Sequence, residues 1–195
     1  EMIWGEGHSR LDVLEVAPVT VTTLPDALWR ASAPSPYGWL ERLAWSDDSA
    51  ALSFGINFDG FPAEAFVAQL GEADPTLWKL DRPGEFSIGW STRWRPGTRD
   101  LCFQAQEQAR IRVRCLGDVR DGGQGDDYAL ADGDVVVWDF DFAPAGDAMV
   151  VVRQDPDSLY ELQIGKLGKR AGRWQPLVDL NPQAADWKLP RVQIF

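Results

Sequence analysis

An internal repeat of about 49 residues constrains the fold of this 195-residue chain more than any other feature. Three segments each combine an aromatic residue, a polar turn and a β-forming run: Trp45–Gly55, Trp94–Gln104 and Phe142–Val152. A second set of aromatic residues recurs at a similar spacing: Trp29, Trp78, Tyr128 and Trp174. Self-similarity at a fixed period is the signature of an architecture built from one repeated supersecondary unit.

Each repeat is predicted to form four short antiparallel strands. In the best-defined repeat we expect them at Phe86–Trp94, Leu101–Gln106, Arg110–Leu116 and Asp127–Ala131. Turns rich in Gly and Pro separate them, and these residues supply the backbone angles of tight turns. Charged and apolar residues alternate along Arg110–Arg114, as in a strand with two unlike faces. Helical periodicity is nearly absent, so the sequence predicts an all-β fold.

Four periods of this length account for almost the whole chain. We therefore predict a single domain over residues 1–195, with repeats at 37–84, 85–133 and 134–185 and a fourth repeat shared between 1–36 and 186–195. Pairing of the N- and C-terminal strands would close a ring of four units and remove free strand edges. The alternative is an open arc of a larger ring.

A four-stranded antiparallel unit repeated every ~40–50 residues is typical of a β-propeller blade. The turns Trp45–Ser49 and Phe142–Gly146 resemble the W/F-S-P-D-G turn of TolB-type, WD-like propeller repeats, and Leu159–Leu162 resembles the third strand of that family. The turn Arg95–Gly97 departs from the pattern because it lacks the usual Asp. The resemblance implies a propeller, a fold that in this family mostly docks other proteins and sometimes carries an active site on its axial face.

Ten tryptophans are unusually many for a chain of this length. Five recur at fixed repeat positions and are expected to pack between blades: Trp29, Trp45, Trp78, Trp94 and Trp174. Four others fall near the start of first strands, which lie nearest the axis of a propeller: Trp39, Trp90, Trp138 and Trp187. Such a ring of aromatics would stack on sugars or grip an apolar peptide side chain. The alternative for these four is packing between wedge-shaped blades.

The two cysteines of the chain are placed to meet across one hairpin. If Gln108-Ala109 forms the turn, Cys102 and Cys115 lie directly opposite each other on adjacent strands, as a disulfide requires. A disulfide would indicate an oxidising compartment, so we expect a periplasmic or secreted location. The alternative is a pair of reduced thiols in the core of a blade.

Basic residues are concentrated in one repeat, although the whole chain carries a net charge of −11. Arg110, Arg112 and Arg114 belong to that repeat and would form a docking patch for an acidic partner. The alternative is a solvated strand face whose arginines pair with nearby carboxylates.

Several function classes find no support in the sequence. The acidic balance argues against nucleic-acid binding, because a negative surface repels the phosphate backbone. No apolar run approaches the ~18–20 residues of a membrane helix. One histidine, His8, and two cysteines cannot supply the usual four-ligand zinc site. No phosphate loop, dinucleotide fingerprint or nucleophile elbow occurs, so we expect no metal, no cofactor and no catalysis.

The repeat pattern and its resemblance together predict a non-enzymatic β-propeller that binds a protein partner through one axial face. A second hypothesis is a carbohydrate-binding or carbohydrate-cleaving propeller whose axial tryptophans stack on glycans. A third is a structural segment of a larger propeller assembled from several chains.

Overall fold

The computed structural model describes residues 10–32, 38–58, 61–71, 74–82, 84–168, 171–184 and 186–189. The described chain begins with a two-stranded hairpin, β1 (Asp12–Val16) and β2 (Val19–Thr23), and a short helix, α1 (Ala27–Ser32). From there on it consists mainly of antiparallel strands, which confirms the all-β prediction. A 3-10 turn at Pro182–Ala184 follows the last strand.

Most of the molecule consists of three four-stranded antiparallel units, which we call blades A, B and C. Blade A is a separate sheet, whereas one parallel pairing between Ile111 and Val136 joins blades B and C into an eight-stranded sheet. Blade A contains β3 (Trp39–Trp45), β4 (Ala51–Phe58), β5 (Phe61–Gln69) and β6 (Thr76–Lys79). Blade B contains β7 (Ser87–Trp94), β8 (Leu101–Glu107), β9 (Arg110–Leu116) and β10 (Asp127–Ala131). Blade C contains β11 (Val136–Phe142), β12 (Ala148–Gln154), β13 (Glu161–Leu167) and β14 (Ala171–Val178). The four strands predicted in blade B are confirmed to within one residue.

The first unit differs from the repeat pattern at Trp29. The spacing equates this residue with Trp78 on the fourth strand of blade A, yet Trp29 lies in α1. Helix formers such as Ala27 follow Asp26, whose backbone carbonyl accepts a hydrogen bond from the N–H of Arg30. Trp29 is still buried and packs edge-on against Phe54, with ring centroids 5.5 Å apart. Trp29 therefore keeps the packing role that the repeat predicts, although its secondary structure differs from that of Trp78.

The hydrophobic core lies between successive sheets. Blades A and B each have two buried faces, because successive side chains of a strand point to opposite sides and both sides are covered. In blade B, Leu101 and Phe103 belong to a cluster shared with blade A, whereas Cys102 and Cys115 belong to a cluster shared with blade C. A third cluster joins the hairpin and α1 to blade A. Each large side chain buried in this way contributes about 1.5–3 kcal/mol of transfer free energy.

Equivalent turns between first and second strands contact one another from blade to blade. In blade A the backbone N–H of Ser49 bonds to the carbonyl of Ser46 at 2.8 Å, and in blade C that of Gly146 bonds to Ala143 at 2.8 Å. The N–H of Gly97 in blade B donates to the Asp47 carboxylate at 3.1 Å. The same turn of blade B also contacts blade C, because the Arg95 guanidinium donates to the Gly146 carbonyl at 3.4 Å. These contacts fix the spacing of the blades along one face.

A buried glutamine ties blade B to blade C. The side-chain oxygen of Gln104 accepts from the N–H of Ser91 at 2.9 Å, and its amide nitrogen donates to the Val137 carbonyl at 2.7 Å. The pairing register shifts in both β7 and β11 at this level. The amide thus satisfies backbone groups that these two bulged first strands leave without ladder partners.

The hairpin of β8 and β9 carries the disulfide. Gln108 and Ala109 form its turn, with φ angles of 48° and 58°. The resulting register places Cys102 directly opposite Cys115, and their sulfur atoms are bonded. Both residues are completely buried. The predicted turn and the predicted pairing of the two cysteines are confirmed.

Reduction of this disulfide should destabilise the protein. The bond joins residues 13 positions apart, and a loop of about that size restricts the unfolded chain by about 3 kcal/mol. We expect urea unfolding with reductant to give an unfolding free energy about 2–4 kcal/mol lower than without it. The C102A/C115A variant should show no response to reductant. Equal stability of the oxidised and reduced wild type would contradict the expectation.

Gly146→Ala should be more damaging than Gly97→Ala. The two glycines have similar φ angles, 68° and 71°, so alanine meets similar backbone strain at both. A Cβ on Gly146 would lie 2.3 Å from the Pro96 carbonyl oxygen, whereas one on Gly97 would meet nothing within 4 Å. We expect Gly97→Ala to cost about 1 kcal/mol and Gly146→Ala about 2 kcal/mol more, because the turns must separate. Denaturant midpoints measure both, and equal losses would show that the turns are not in contact.

Candidate functional site

The first strands of blades A, B and C lie side by side. β3 contacts β7, and β7 contacts β11. The Arg42 guanidinium on β3 donates to the Gly89 carbonyl on β7, and the Ser91 hydroxyl donates to the Asp139 carboxylate on β11 at 2.5 Å. The exposed side chains of these three strands therefore form one continuous surface, which we call the inner wall.

Three of the four tryptophans predicted to form a site lie on the inner wall, one on each blade. Trp39, Trp90 and Trp138 are 47–67% exposed. Trp187 is exposed as well, but it follows the 3-10 turn, where its N–H bonds to the Ala184 carbonyl at 2.9 Å. Residues 190–195, with which the predicted fourth repeat ends, lie outside the described residues. The structure thus brings three predicted tryptophans onto adjacent strands and places the fourth off them.

Trp45 and Leu43 on β3 are also exposed and were not among the predicted site residues. Trp45 was expected to pack between blades, yet it is 48% exposed. Its repeat equivalent, Trp94, is buried because its indole N–H reaches the Ala44 carbonyl on the first strand of the preceding blade, at 3.0 Å. The unit that precedes Trp45 is a two-stranded hairpin, and in its described part there is no strand equivalent to β3 for Trp45 to pack against. Exposure of Trp45 therefore depends on its neighbour, which the repeat spacing alone does not reveal.

Arg42 supports the central part of the inner wall. Its backbone has a φ of 58°, at a register shift in β3, and its side chain is buried. The guanidinium forms an ion pair with Glu41 and lies 5.9 Å from the centre of the Trp90 ring. Burial lowers the pKa of Arg42, and the carboxylate of Glu41 opposes that shift. One side of Trp90 is thus held by a cation, while the rest of the ring stays accessible.

The blade C side of the inner wall is aromatic and acidic. Trp138 meets Tyr160 edge to face, with ring centroids 5.6 Å apart, and both are exposed. Asp139 and Asp141 follow Trp138 on the same strand and are also exposed. The Arg93 guanidinium lies 3.7 Å from the Asp141 carboxylate in an exposed pair. An exposed pair of this kind contributes little stability and leaves the surface open to a partner.

The predicted arginine patch lies on β9, the third strand of blade B, which pairs in parallel with the start of β11 through Ile111 and Val136. Its three arginines are ion-paired within the protein: Arg110 with Asp134, Arg112 with Glu107 and Asp132, and Arg114 with Asp127. These ion pairs are what the alternative hypothesis expects, in which the arginines of the strand face pair with nearby carboxylates. A role of these arginines in partner binding stays a prediction.

An ion pair joins the turn between β3 and β4 of blade A to the segment between β9 and β10 of blade B. Arg120 binds both carboxylate oxygens of Asp48, at 2.5 and 2.9 Å, and its guanidinium lies 5.8 Å from the centre of the Trp94 ring. Hydrogen bonds from Arg120, from the Ser46 hydroxyl and from the Ala50 N–H hold the pKa of Asp48 well below its ordinary value. The indole of Trp94 is thus enclosed between the two blades.

Other predicted features can be placed only in part. In the described portion of the chain, no three His, Cys, Asp or Glu side chains are grouped to hold a metal ion. Within the same portion, no helix is long and apolar enough to cross a membrane. His8 lies outside the described residues.

Repeated four-stranded antiparallel blades with adjacent first strands define a β-propeller fold. The solved structure of a protein assigned as TolB from Agrobacterium tumefaciens matches the chain with a TM-score of 0.54 and 16% sequence identity. The match covers 88% of this chain and 61% of that protein, so the chain spans about three fifths of its length. TolB from Acinetobacter baumannii matches with a TM-score of 0.41 and 12% identity, over 86% of this chain and 48% of that one.

The chain therefore has a TolB-like β-propeller fold, as its repeats predicted. No family model matches the sequence, and no curated protein matches it. The number of blades in the complete ring and its closure by the chain ends stay predictions, because residues 1–9 and 190–195 lie outside the described part.

The contact between Asp48 and Arg120 should make stability depend on pH. Because the pKa of Asp48 is lowered by folding, the contact stabilises the protein above the unfolded carboxyl pKa of about 3.9 and is lost as pH falls through the folded value. We expect Asp48→Asn to lower the unfolding free energy at pH 6 and the difference from wild type to shrink below about pH 4. Denaturant unfolding between pH 6 and 2 measures this.

A matched variant isolates the pair. Arg120→Gln should produce the same loss at pH 6, and the D48N/R120Q double variant should lose little more than either single variant. A difference between wild type and Asp48→Asn that is constant with pH would contradict the assignment.

Proposed function

We propose that this protein is a non-enzymatic β-propeller that docks a protein partner on its inner wall. The observation that carries the proposal is the exposure of Trp39, Trp90 and Trp138 on three adjacent first strands. Burying an exposed tryptophan at an interface yields a large apolar area, and such residues are enriched among those that dominate binding energy. Three of them on one surface are costly to leave in water unless a partner covers them.

The rigidity of the frame supports this proposal. The tryptophans project from strands whose backbones are fixed by contacts between blades, such as the hydrogen bonds of Gln104 and the packing of Arg42 on Trp90. A site held on stiff elements loses little conformational entropy when it binds. The same stiffness suits recognition better than a catalytic cycle that requires loop closure.

The proposed location is extracytoplasmic, either periplasmic or secreted. The buried bond between Cys102 and Cys115 supports it, because disulfides persist in oxidising compartments and are rare in the reducing cytosol.

Glycan binding is the second candidate. The observation that favours it is the exposed edge-to-face pair of Trp138 and Tyr160. Aromatic rings at an exposed edge offer flat apolar faces to sugar rings, and Asp139 beside them would accept hydrogen bonds from hydroxyl groups. In this case the inner wall would still be the site, with a different ligand.

A structural segment of a larger propeller is the third candidate. The outward face of the first hairpin exposes four apolar side chains, Leu14, Val16, Val19 and Val21, each at 61–80%. The corresponding faces between blades A, B and C are buried. The mass of the chain in solution tests this candidate: a stable 21.7 kDa monomer would contradict assembly from several chains, and a defined oligomer would support it.

Substitution of two tryptophans tests the docking proposal. Trp90→Ala and Trp138→Ala should each weaken the complex with a purified protein partner by at least about 10-fold, since truncating a central interface tryptophan costs about 2 kcal/mol or more. The partner is first identified by stoichiometric co-purification and mass spectrometry, and its affinity is then measured by calorimetry. Leu177→Ala is the matched control, because Leu177 is equally exposed but lies on β14, the fourth strand of blade C.

The outcomes separate the candidates. Circular dichroism and the melting temperature must first show that the variants are folded. Loss of a protein complex in the tryptophan variants and not in Leu177→Ala supports docking. A glycan-array signal that disappears in the same variants would show that the ligand is a carbohydrate and not a protein. Affinities unchanged by either tryptophan substitution would refute the inner wall as the site.

A further inference from the structure

A cleft of 1180 Å³ separates the first hairpin from blade A. Its apolar lining includes Val13 and Leu14 on β1, Trp45 at the end of β3, and Leu70 and Pro75 around the loop between β5 and β6. It is larger than the 610 Å³ cavity between blades A and B and the 160 Å³ cavity between blades B and C. The cleft is thus the most spacious of these three openings.

One side of the cleft is a strand edge. In the described part of the chain, β1 pairs only with β2. The N–H of Leu24 bonds to the carbonyl of Leu11 at 2.9 Å, so the antiparallel alternation directs the backbone groups of Asp12, Leu14 and Val16 away from β2. Such an edge offers unpaired donors and acceptors to another extended chain.

The cleft runs along this edge. Val13 and Thr22 are directly opposed in the hairpin, and Glu15 lies on the same face of the ribbon. All three line the cleft, and so does Leu14, whose side chain points to the other face. Three consecutive residues of β1 can border one cleft only if the strand edge itself is accessible from it.

The cleft carries negative charge, which favours a positively charged occupant. Glu15 and Asp74 line it and are exposed, and no Lys or Arg occurs among the described lining residues. The half-exposed ring of Trp45 provides an aromatic face, which attracts a cation placed over it. Carboxylates and an indole around an apolar groove favour an extended segment with basic and apolar side chains. A second copy of this chain is disfavoured, because it brings the same net charge of −11.

We propose that the cleft binds an extended polypeptide segment carrying lysine or arginine, which adds to β1 as a third strand. Backbone hydrogen bonds to the β1 edge supply affinity, and contacts of the basic side chains with Glu15, Asp74 and Trp45 supply specificity. This site is separate from the docking surface of Trp39, Trp90 and Trp138, and the inference does not depend on the proposed function.

A defined peptide tests the proposal. The probe is an eight-residue peptide, acetylated and amidated at its ends, in which lysine alternates with valine and threonine. Calorimetry should show that it binds the full chain at least about 10-fold more tightly than the same peptide with glutamate in place of lysine, since attraction is exchanged for like-charge repulsion. Methylation of alternate backbone nitrogens along one edge of the lysine peptide should weaken binding by at least about 10-fold, because the donors to β1 are lost.

Two tryptophans of the same strand provide a matched pair of variants. Trp45→Leu should weaken binding of the lysine peptide by about 3- to 30-fold, through loss of the cation–aromatic contact. Trp39→Leu should change it by less than about 2-fold, because Trp39 is equally exposed on β3 but does not line the cleft. The E15Q/D74N double variant should weaken it by about 3- to 10-fold and serves as a second test should Trp45→Leu fail to fold.

Specific results would overturn the proposal. No binding of the lysine peptide, or equal binding of the lysine and glutamate peptides, would refute a basic occupant. Undiminished binding of the methylated peptide would refute strand addition. Equal losses of peptide affinity in Trp39→Leu and Trp45→Leu, or unchanged affinity in E15Q/D74N, would show that the peptide does not bind in the cleft. Dimers of the chain that dissociate in Trp45→Leu would show that a second copy is the occupant instead.

Discussion

Burial of apolar side chains between successive sheets is the constraint on which the rest of this structure depends. A four-stranded antiparallel blade with apolar residues at both odd and even positions cannot stand alone in water, so it must pack against neighbouring units. Blade B shows this most clearly, with Leu101 and Phe103 covered by blade A and Cys102 and Cys115 facing blade C. Stacking of blades follows directly, and it brings the first strands β3, β7 and β11 next to one another.

The inner wall is a consequence of that stacking. Once the faces of the blades are used for the core, the edge formed by the first strands is free to display side chains. Trp39, Trp90 and Trp138 are exposed there, while Trp94, at a packing position of the same repeat, is enclosed between blades. Polar contacts between blades, such as those of Gln104 and Arg120, are formed in the gaps that the strand bulges and turns create. They hold the displayed side chains in place and do not themselves compete for a partner.

The first hairpin shows what happens where the stacking pattern is interrupted. Its inward face contributes Leu11 and Leu24 to the core shared with blade A, yet its outward face and the β1 edge are open in the described structure. Trp45 loses the cover that its equivalent Trp94 receives, and the cleft opens beside it. One irregular unit in a regular array therefore produces both the largest of the three cavities and the one tryptophan whose packing the repeat did not predict correctly.

By itself the sequence determined the repeat period, the strands of blade B to within one residue, the turn at Gln108-Ala109 and the pairing of Cys102 with Cys115. These are local properties, because alternation, turn residues and hairpin register depend on neighbours along the chain. The tertiary structure decided which tryptophans are exposed, that the arginines of β9 are paired, and that Trp29 packs from a helix. Each of these depends on a residue in another unit, such as Ala44 for Trp94 or Asp134 for Arg110. Exposure and charge pairing depend on which residue of the neighbouring blade lies opposite a side chain, and the repeat spacing contains no information about that residue.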